Sequence, residues 1–454
     1  MPELPNLDHL SHAEKDALIR ALWQRLEAAE RRIAELEARL AGPGKTPDNS
    51  SLPPSKGQKP DRPAKTKRAG PRQGSLGRQG GGRALVSHPD QTVTAQAPAC
   101  VHCHTALTEA DQVLHGRYDK IDLPVVRPVV TRVERYAGHC PCCGAITLAP
   151  VPVGLEESAP FSATIVALAI YLRVTHALSY RRLTQVFLHL YALPISEGAL
   201  DAMLRRAKPC FDGEVAAILA RLRRSRIVCS DETTVRIDGR THWNWVFQND
   251  QVVIHVVRAS RAAAVVSAVM AGHRPRIWVS DLYGAQQGPA DLWQICLAHQ
   301  VRDCQYAIDA GDTVFAPRMK MLLWAVVLAR RRKRLAESTR RTYLRRLDHD
   351  LNAIMGLAPG HPHGQRLRQR YGKVRNSLFT FLEHPDAPPD NNGSERELRP
   401  TATYRKVTGG FRSPWGADLF AAVRSVVGTA ARRGRDAYQA IRAVLDGETV
   451  VQPG

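Results

Sequence analysis

One peptide occurs twice in this chain. Arg-Ile-x-x-Ser-Asp appears as RIVCSD ending at Asp231 and as RIWVSD ending at Asp281. Each copy is a short apolar run, Ile227–Cys229 or Ile277–Val279, closed by a carboxylate. A continuous β-branched and aromatic run of this length reads as a strand buried on both faces. A carboxylate ending such a strand has to be paired, hydrogen-bonded or bound to metal, because a lone buried charge is very costly. Two such strands side by side would hold two like charges close together, and these repel unless they share a proton or a cation. The repeat therefore predicts an α/β core with a divalent-metal site at the ends of neighbouring strands.

Charge narrows the partner. The net charge is +21 over 454 residues, which favours a polyanion, and counterion release makes nucleic acid the foremost choice. A basic membrane-surface protein would show a basic amphipathic helix or a lipidation signal, and neither is seen. The apolar runs Thr164–Leu172 and Met321–Ala329 are too short to span a bilayer, and no signal peptide opens the chain. The expectation is a cytoplasmic protein. Its nine cysteines then read as metal ligands and core residues rather than disulfides.

The chain reads as multidomain. Over residues 11–41, Ile19, Leu22, Leu26, Ala29, Ile33, Leu36 and Leu40 keep a three-four spacing that Gly42-Pro43 ends. This predicts a short coiled coil and a homo-oligomer; a single amphipathic helix packed on its own chain is the plainer reading. Residues 42–92 are rich in Gly, Pro, Ser, Lys and Arg and poor in large apolar side chains, as in a flexible basic linker. Over 93–150, Cys100-x2-Cys103 and Cys140-x2-Cys143 can supply four thiolates to one structural Zn2+, with Val113–Tyr136 expected to be strand-rich, as a zinc ribbon requires. Cys142 is a competing ligand, and His102 and His104 are read as bystanders.

Residues 157–225 read as helical. Ser179–Leu190 and Glu197–Arg206 flank a turn with Pro194 and an N-capping Ser196, a possible helix-turn-helix. From 226 to 304, strand-like segments at Arg226–Ile237, His242–Gln248 and Val252–Arg258, separated by the hairpin turn residues Asp238-Gly239 and Asn249-Asp250, precede a helix at Arg261–Ala271, the strand ending at Asp281, and a further strand at Gln294–Ala298. Three antiparallel strands, a helix and a parallel strand is the order of a ribonuclease-H-like core. Residues 305–385 form a basic helical insertion carrying Arg330-Arg331-Arg332-Lys333-Arg334, read either as a solvated helix face or as a DNA contact. Residues 386–450 complete the core and end in helices.

Within 386–450, PPDNNGSERELRP (388–400) reads as a turn followed by a helix capped by Ser394, with Glu395 in its first turn. Glu395 and Glu397 point to different faces, so only one can join the aspartates.

Taken together, these segments resemble bacterial DDE transposases of the insertion-sequence-66 family. DNNGSERELRP resembles that family's Asn-Asn-x-x-Glu-Arg signature around the last catalytic acid. SDETTVRIDGRTHWNWVF resembles the segment around its first aspartate, SDLYGA the second, and CLAHQVRD the Ala-His-x-x-Arg stretch that follows. The early heptads, KTPDNSSLPPSKG and the paired cysteines also resemble the family's layout. The resemblance implies that Asp231, Asp281 and Glu395 are the catalytic acids, the last chosen because it directly precedes Arg396. Asp291 is a weaker alternative to Asp281, lacking a buried strand before it. The resemblance further implies a ribonuclease-H-like fold, two Mg2+ ions, cutting and joining of the element's own DNA ends, accessory proteins from the same element, and a nucleoid-associated bacterial setting.

Carboxylates leave Mg2+ open positions for water and phosphate, and a metal pair suits in-line displacement at phosphorus. His299 and Arg302 are expected near the metals, to orient phosphate or as ordinary helix residues. Gly409, Gly410 and Arg412 read as a flexible basic loop. Two competing readings remain: a transposase-derived DNA-binding regulator without catalysis, and a structure-specific nuclease without strand transfer.

Overall fold

The computed structural model describes residues 9–40, 42–46, 48–50, 83–157 and 160–451. Most of the expected 42–92 linker lies outside the described residues. The chain divides into two units. One joins Met1–Gln58, Val133–Gln185 and Ile195–Gly454; the other joins Lys59–Arg132 and Val186–Pro194.

Helix α1 (His12–Leu40) opens with a reciprocal capping box. Glu14 Oε2 accepts from Ser11 N at 2.8 Å, and Ser11 Oγ accepts from Glu14 N at 3.3 Å. Among the described residues its heptad positions Ile19, Leu22, Leu26 and Ile33 are all more than half exposed. The side chains of Leu36 and Leu40 lie outside the described residues.

The segment Val113–Tyr136, expected to be strand-rich, contains no strand. It is irregular, and Val113, Val125, Val129 and Val130 are almost fully exposed. β-Branched residues favour strands only where a neighbouring strand and an apolar layer receive them, and here neither is present among the described residues. Only the short pair β1 (Ala137–His139) and β2 (Ile146–Leu148) forms beyond it.

Helix α2 (Ala163–Ile170) runs into a π-turn at Tyr171–Thr175, and α3 (Tyr180–Tyr191) follows. Ser196 caps α4 (Glu197–Leu222), its Oγ accepting from Ala199 N at 3.1 Å. At 26 residues α4 is far longer than the expected recognition helix. Its apolar face, with Leu200, Leu204, Phe211 and Ile218, is wholly buried.

Strands β3 (Ile227–Ile237), β4 (Arg240–Gln248) and β5 (Val253–Arg258) form an antiparallel meander. Asp238 and Gly239 turn the first hairpin with φ of 47° and 72°, the doubly positive pair of a type I′ turn. Helix α5 (Ala263–Met270) then leads to β6 (Ile277–Ser280), and β7 (Leu292–Ile295) follows. The five-stranded sheet has the order β5-β4-β3-β6-β7, with β6 parallel to both β3 and β7. Trp245, Phe247 and Trp278 are fully buried at its centre.

After α6 (Leu297–Asp309) come α7 (Ala316–Leu323), α8 (Glu337–Met355), α9 (Pro362–Val374) and the single turn α10 (Thr380–Glu383). This insertion is no bare basic projection. Phe315, Met319, Leu351, Tyr371 and Phe381 build an apolar core with Leu297 and Cys304 of α6. The run Arg330–Arg334 ends a 3-10 helix and turns, so it is not one helix face; Arg332 Nε donates to Pro385 O at 2.7 Å.

Helices α11 (Asn392–Thr408), α12 (Pro414–Ala431) and α13 (Ala437–Leu445) close the chain. Helix α12 covers the edge strand β5. Ser425 Oγ accepts from His255 N at 2.8 Å and Thr429 Oγ1 from Val253 N at 3.1 Å. Four helical residues rise about 6 Å and two strand residues about 6.6 Å, so hydroxyls at i and i+4 match alternate strand amides. An edge that would otherwise offer free donors is sealed.

Candidate active site

The two Arg-Ile-x-x-Ser-Asp copies lie side by side in register. Ile227 pairs with Ile277, Val228 with Trp278 and Cys229 with Val279. Each residue thus faces its counterpart in the other copy, and Asp231 and Asp281 follow two rungs later. Asp231 lies within β3 and Asp281 directly after β6. Asp281 Oδ1 accepts from Tyr283 N at 2.9 Å, fixing the turn that leaves the strand. Burial, then the charge of Asp281, pushes the Asp231 carboxyl well above its ordinary range; Glu395 adds to the effect. Like charges held close together disfavour one another's ionisation. Asp291 takes no part, being paired with Arg274 at 2.9 Å.

The 388–400 segment brings Glu395 to the aspartates, and each polar residue in it has a separate task. Asn391 Nδ2 donates to Ser230 O at 2.7 Å, and Asn391 N donates to Cys296 Sγ at 3.1 Å. Leu297 N donates to Pro389 O at 3.0 Å. The start of α11 is thereby tied to both β3 and α6. Gly393 admits Gln248, whose Nε2 would lie 2.7 Å from an added Cβ. Ser394 was expected to cap the helix. Instead it is buried within the first turn, after the N-cap Asn391, and its Oγ accepts from Gln248 Nε2 at 3.0 Å.

Glu395 then meets α6. Its Oε1 accepts from Arg302 Nη2 at 3.2 Å and lies 3.5 Å from His299 Nε2. Burial, then Arg302, lowers the His299 pKa, so the ring is neutral at pH 7 and can act as a hydrogen-bond donor. His299 and Arg302 hold Glu395 in place.

Glu397 is turned the other way. Its Oε1 lies 2.8 Å from Arg432 Nη1, and its Oε2 lies 3.5 Å from Arg424 Nη2 and 3.8 Å from His255 Nε2. Burial raises its pKa, yet His255 and Arg432 outweigh that and hold it at about 2. It is a structural acid of the α11–α12 packing.

The loop 409–412 is less free than its glycines suggest. Phe411 N donates to Arg236 O at 2.8 Å and Asp238 N to Phe411 O at 3.0 Å. Gly410, at φ 116°, packs where a Cβ would meet Arg236 O at 2.6 Å.

Sequence reasoning passed over Glu232, Arg261 and Gln286. Glu232 is buried, and its Oε1 accepts from Arg261 Nε at 2.8 Å while its Oε2 accepts from Gln286 Nε2 at 2.8 Å. The available signal was its place beside Asp231, on the opposite face of the same strand. A cavity of about 570 Å3 opens beside Asp281 and His299, lined also by Arg261, Arg370 and Lys373.

The cysteine pairs lie in different units, and each forms the same turn. Cys100 N donates to Thr105 O and His104 N to Cys100 O, both at 2.9 Å. Cys140 N donates to Ala145 O at 2.8 Å and Gly144 N to Cys140 O at 2.9 Å. The fifth position is left-handed in both, with φ 60° at His104 and 73° at Gly144. Among the described residues, no three His, Cys, Asp or Glu side chains close to metal-binding distance. The arrangement at Asp231, Asp281 and Glu395 is accordingly a set of neighbouring acids, not a closed cage. No described helix is long and apolar enough to cross a membrane.

A family model described as Transposase IS66 family matches residues 158–419, more than half of the 454-residue chain. That span contains Asp231, Asp281 and Glu395, and neither α1 nor the cysteine pairs. A second model, described as a family of unknown function (DUF6444), matches residues 2–84. The Uncharacterized protein y4jO of Sinorhizobium fredii is 37% identical over 60 residues, 13% of this chain and 19% of that protein. The chain thus aligns with about a fifth of the length of that curated relative.

Proposed function

The chain belongs to the IS66 transposase family, and we propose that it cleaves and joins DNA at insertion-sequence ends with Asp231, Asp281 and Glu395 as catalytic acids. The observation that carries this reading is the in-register pairing of the two Ser-Asp strands. It sets Asp231 within β3 beside Asp281 at the end of β6, and Asn391 ties the start of the Glu395 helix to β3. The sheet order, with its antiparallel meander followed by two parallel strands, supports a ribonuclease-H-like core.

The donor set fits Mg2+: hard oxygen ligands, few in number, with positions left for water and phosphate. Asp231, Asp281 and Glu395 would hold two such ions, which activate an attacking oxygen and stabilise the leaving 3′ oxygen. Burial and Asp281 disfavour the charge of Asp231, so a bound cation would favour it. His299 and Arg302 orient Glu395. Water as nucleophile frees a 3′-OH, and that 3′-OH then attacks target DNA.

The spacing Cys100-x2-Cys103 and Cys140-x2-Cys143 supports one structural Zn2+ held by the four thiolates. The exposed heptad face of α1 supports pairing of two chains, which a protein with one active site needs to hold two DNA ends. DNA is the partner throughout, with accessory proteins of the same element as further partners.

The test is Mg2+-dependent cleavage of DNA bearing the inverted repeats that bound this gene. Asp231→Asn, Asp281→Asn and Glu395→Gln should each abolish cleavage while DNA binding persists. A wild-type chain that binds DNA and never cuts would be a regulator. Cutting without joining of 3′ ends to target DNA would make it a nuclease. Metal analysis of the full chain should find one zinc, lost in Cys100→Ser; a reduced, folded chain without zinc rejects that part.

A further inference from the structure

We infer that Arg261 binds a DNA phosphate in the cavity beside Asp281, and that Glu232, Trp243 and Tyr283 position it for that contact. This rests on the transposase reading above and names a residue that reading does not contain.

Glu232 follows Asp231 directly and points to the other face of β3. Its side chain is 1% exposed, and every oxygen is occupied. Oε1 takes Arg261 Nε at 2.8 Å and Nη2 at 2.6 Å; Oε2 takes Gln286 Nε2 at 2.8 Å. Gln286 is itself fixed, its Oε1 accepting from the buried Trp278 Nε1 at 3.0 Å. A carboxylate so deeply buried needs a cation, and this accounts for two of the three nitrogens of Arg261.

Neutralising Glu232 does not account for the rest of the arrangement. The guanidinium lies 3.8 Å from the Tyr283 ring centroid and 4.7 Å from that of Trp243. Tyr283 OH also donates to Arg261 O at 3.0 Å. Ring contacts and the ion pair together fix the plane of the fork, so little rotamer entropy remains to be lost when a ligand binds. Among the described residues Nη1 has no hydrogen-bond partner. The Arg261 side chain is 37% exposed and lines the cavity with Asp281 and His299.

The remaining charges point to a polyanion. Arg370 on the cavity wall is paired with Asp303, but Lys373 beside it has no ion-pair partner among the described residues. A pre-oriented guanidinium with a free edge matches phosphate oxygens better than any other group a DNA strand offers there. A strand lying along this wall would pass its phosphates from Lys373 and Arg261 toward Asp281.

The test uses the full chain and fluorescent duplexes carrying one terminal repeat of the element, with single methylphosphonates placed in turn near the cleavage site. Arg261→Gln should reduce the slope of log affinity against log salt by about one. It should slow cleavage by about 10- to 100-fold, the scale of one charge-assisted hydrogen bond. One methylphosphonate that weakens wild-type binding should have no further effect in the variant. Because Arg261→Gln strands Glu232, the Glu232→Gln/Arg261→Gln double variant serves as a folded reference with both charges removed. Arg261→Lys should keep the fold yet restore only part of the binding. An unchanged salt slope and methylphosphonate pattern in the folded double variant would overturn the inference. Wild-type binding that depends on Arg261, without Mg2+-dependent cleavage, would sink the transposase reading and leave this contact standing.

Discussion

Glu395 and Glu397 sit two residues apart on α11 and serve opposite sides of it. Glu395 meets Arg302 and His299 on α6, while Glu397 meets Arg432 and Arg424 on α12. One acid faces the aspartates, and the other locks the helix that carries both.

Glu397→Gln is therefore a structural change. Its folded pKa of about 2 lies below the ordinary 4.5, so its stabilisation is complete above 4.5 and is lost as pH falls through 2. We expect a loss of about 3 kcal/mol at pH 7. Urea unfolding at several pH values should show the gap between wild type and variant closing on acidification. A constant gap from pH 7 to pH 2 would refute the ion-pair account.

Asp231→Asn should stabilise the metal-free protein while abolishing cleavage. The folded pKa is raised above the ordinary 3.8, so the folded state holds a proton that the unfolded chain releases. Stability then falls as pH rises from 3.8 through the folded value. Asparagine removes that penalty. Thermal melts in chelator should place the variant above wild type at pH 7 and level with it near pH 3. Added Mg2+ should raise the melting point of wild type more than that of the variant.

Gly393→Ala should lower activity through position alone. An added Cβ would press on Gln248 Nε2 at 2.7 Å, and Gln248 in turn holds Ser394 and Arg432. Overpacking of this kind costs about 1–3 kcal/mol. The shift falls two residues before Glu395, so cleavage should drop more than DNA binding does. Equal losses in both assays would point to general unfolding instead.

Polar replacements at Leu26 and Ile33 should weaken self-association. Both are more than half exposed on α1 in the single chain, as an unpaired heptad seam would be. Light scattering should show a lower mass, and gel shifts should show loss of paired-end complexes with single-end binding retained. An unchanged mass would assign the seam to another partner.

Local pattern alone was enough to mark the apolar runs before Asp231 and Asp281, the hairpin turn at Asp238-Gly239 and the Ser196 cap, although β3 runs on past Asp231 to Ile237. Each is set by neighbours in sequence: an apolar run, a doubly left-handed turn, a hydroxyl one turn from an amide. The repeated hexapeptide even marked the two strands as partners, since like runs closed by like charges make a matched parallel pair. Pattern failed where a partner far along the chain decides the outcome. Val113–Tyr136 has β-branched composition but, among the described residues, no second strand to pair with, and it is irregular. Ser394 has the look of a cap, yet Gln248, 146 residues earlier, claims its hydroxyl. Glu232 reads as one more acid after Asp231 until Arg261 and Gln286 close around it. Sequence could say that only one of Glu395 and Glu397 joins the aspartates. The resemblance chose Glu395 for its place before Arg396; the tertiary structure decided that Glu395 meets Arg302 and His299 while Glu397 meets Arg432 and Arg424, because a buried charge goes wherever its counter-charge is held.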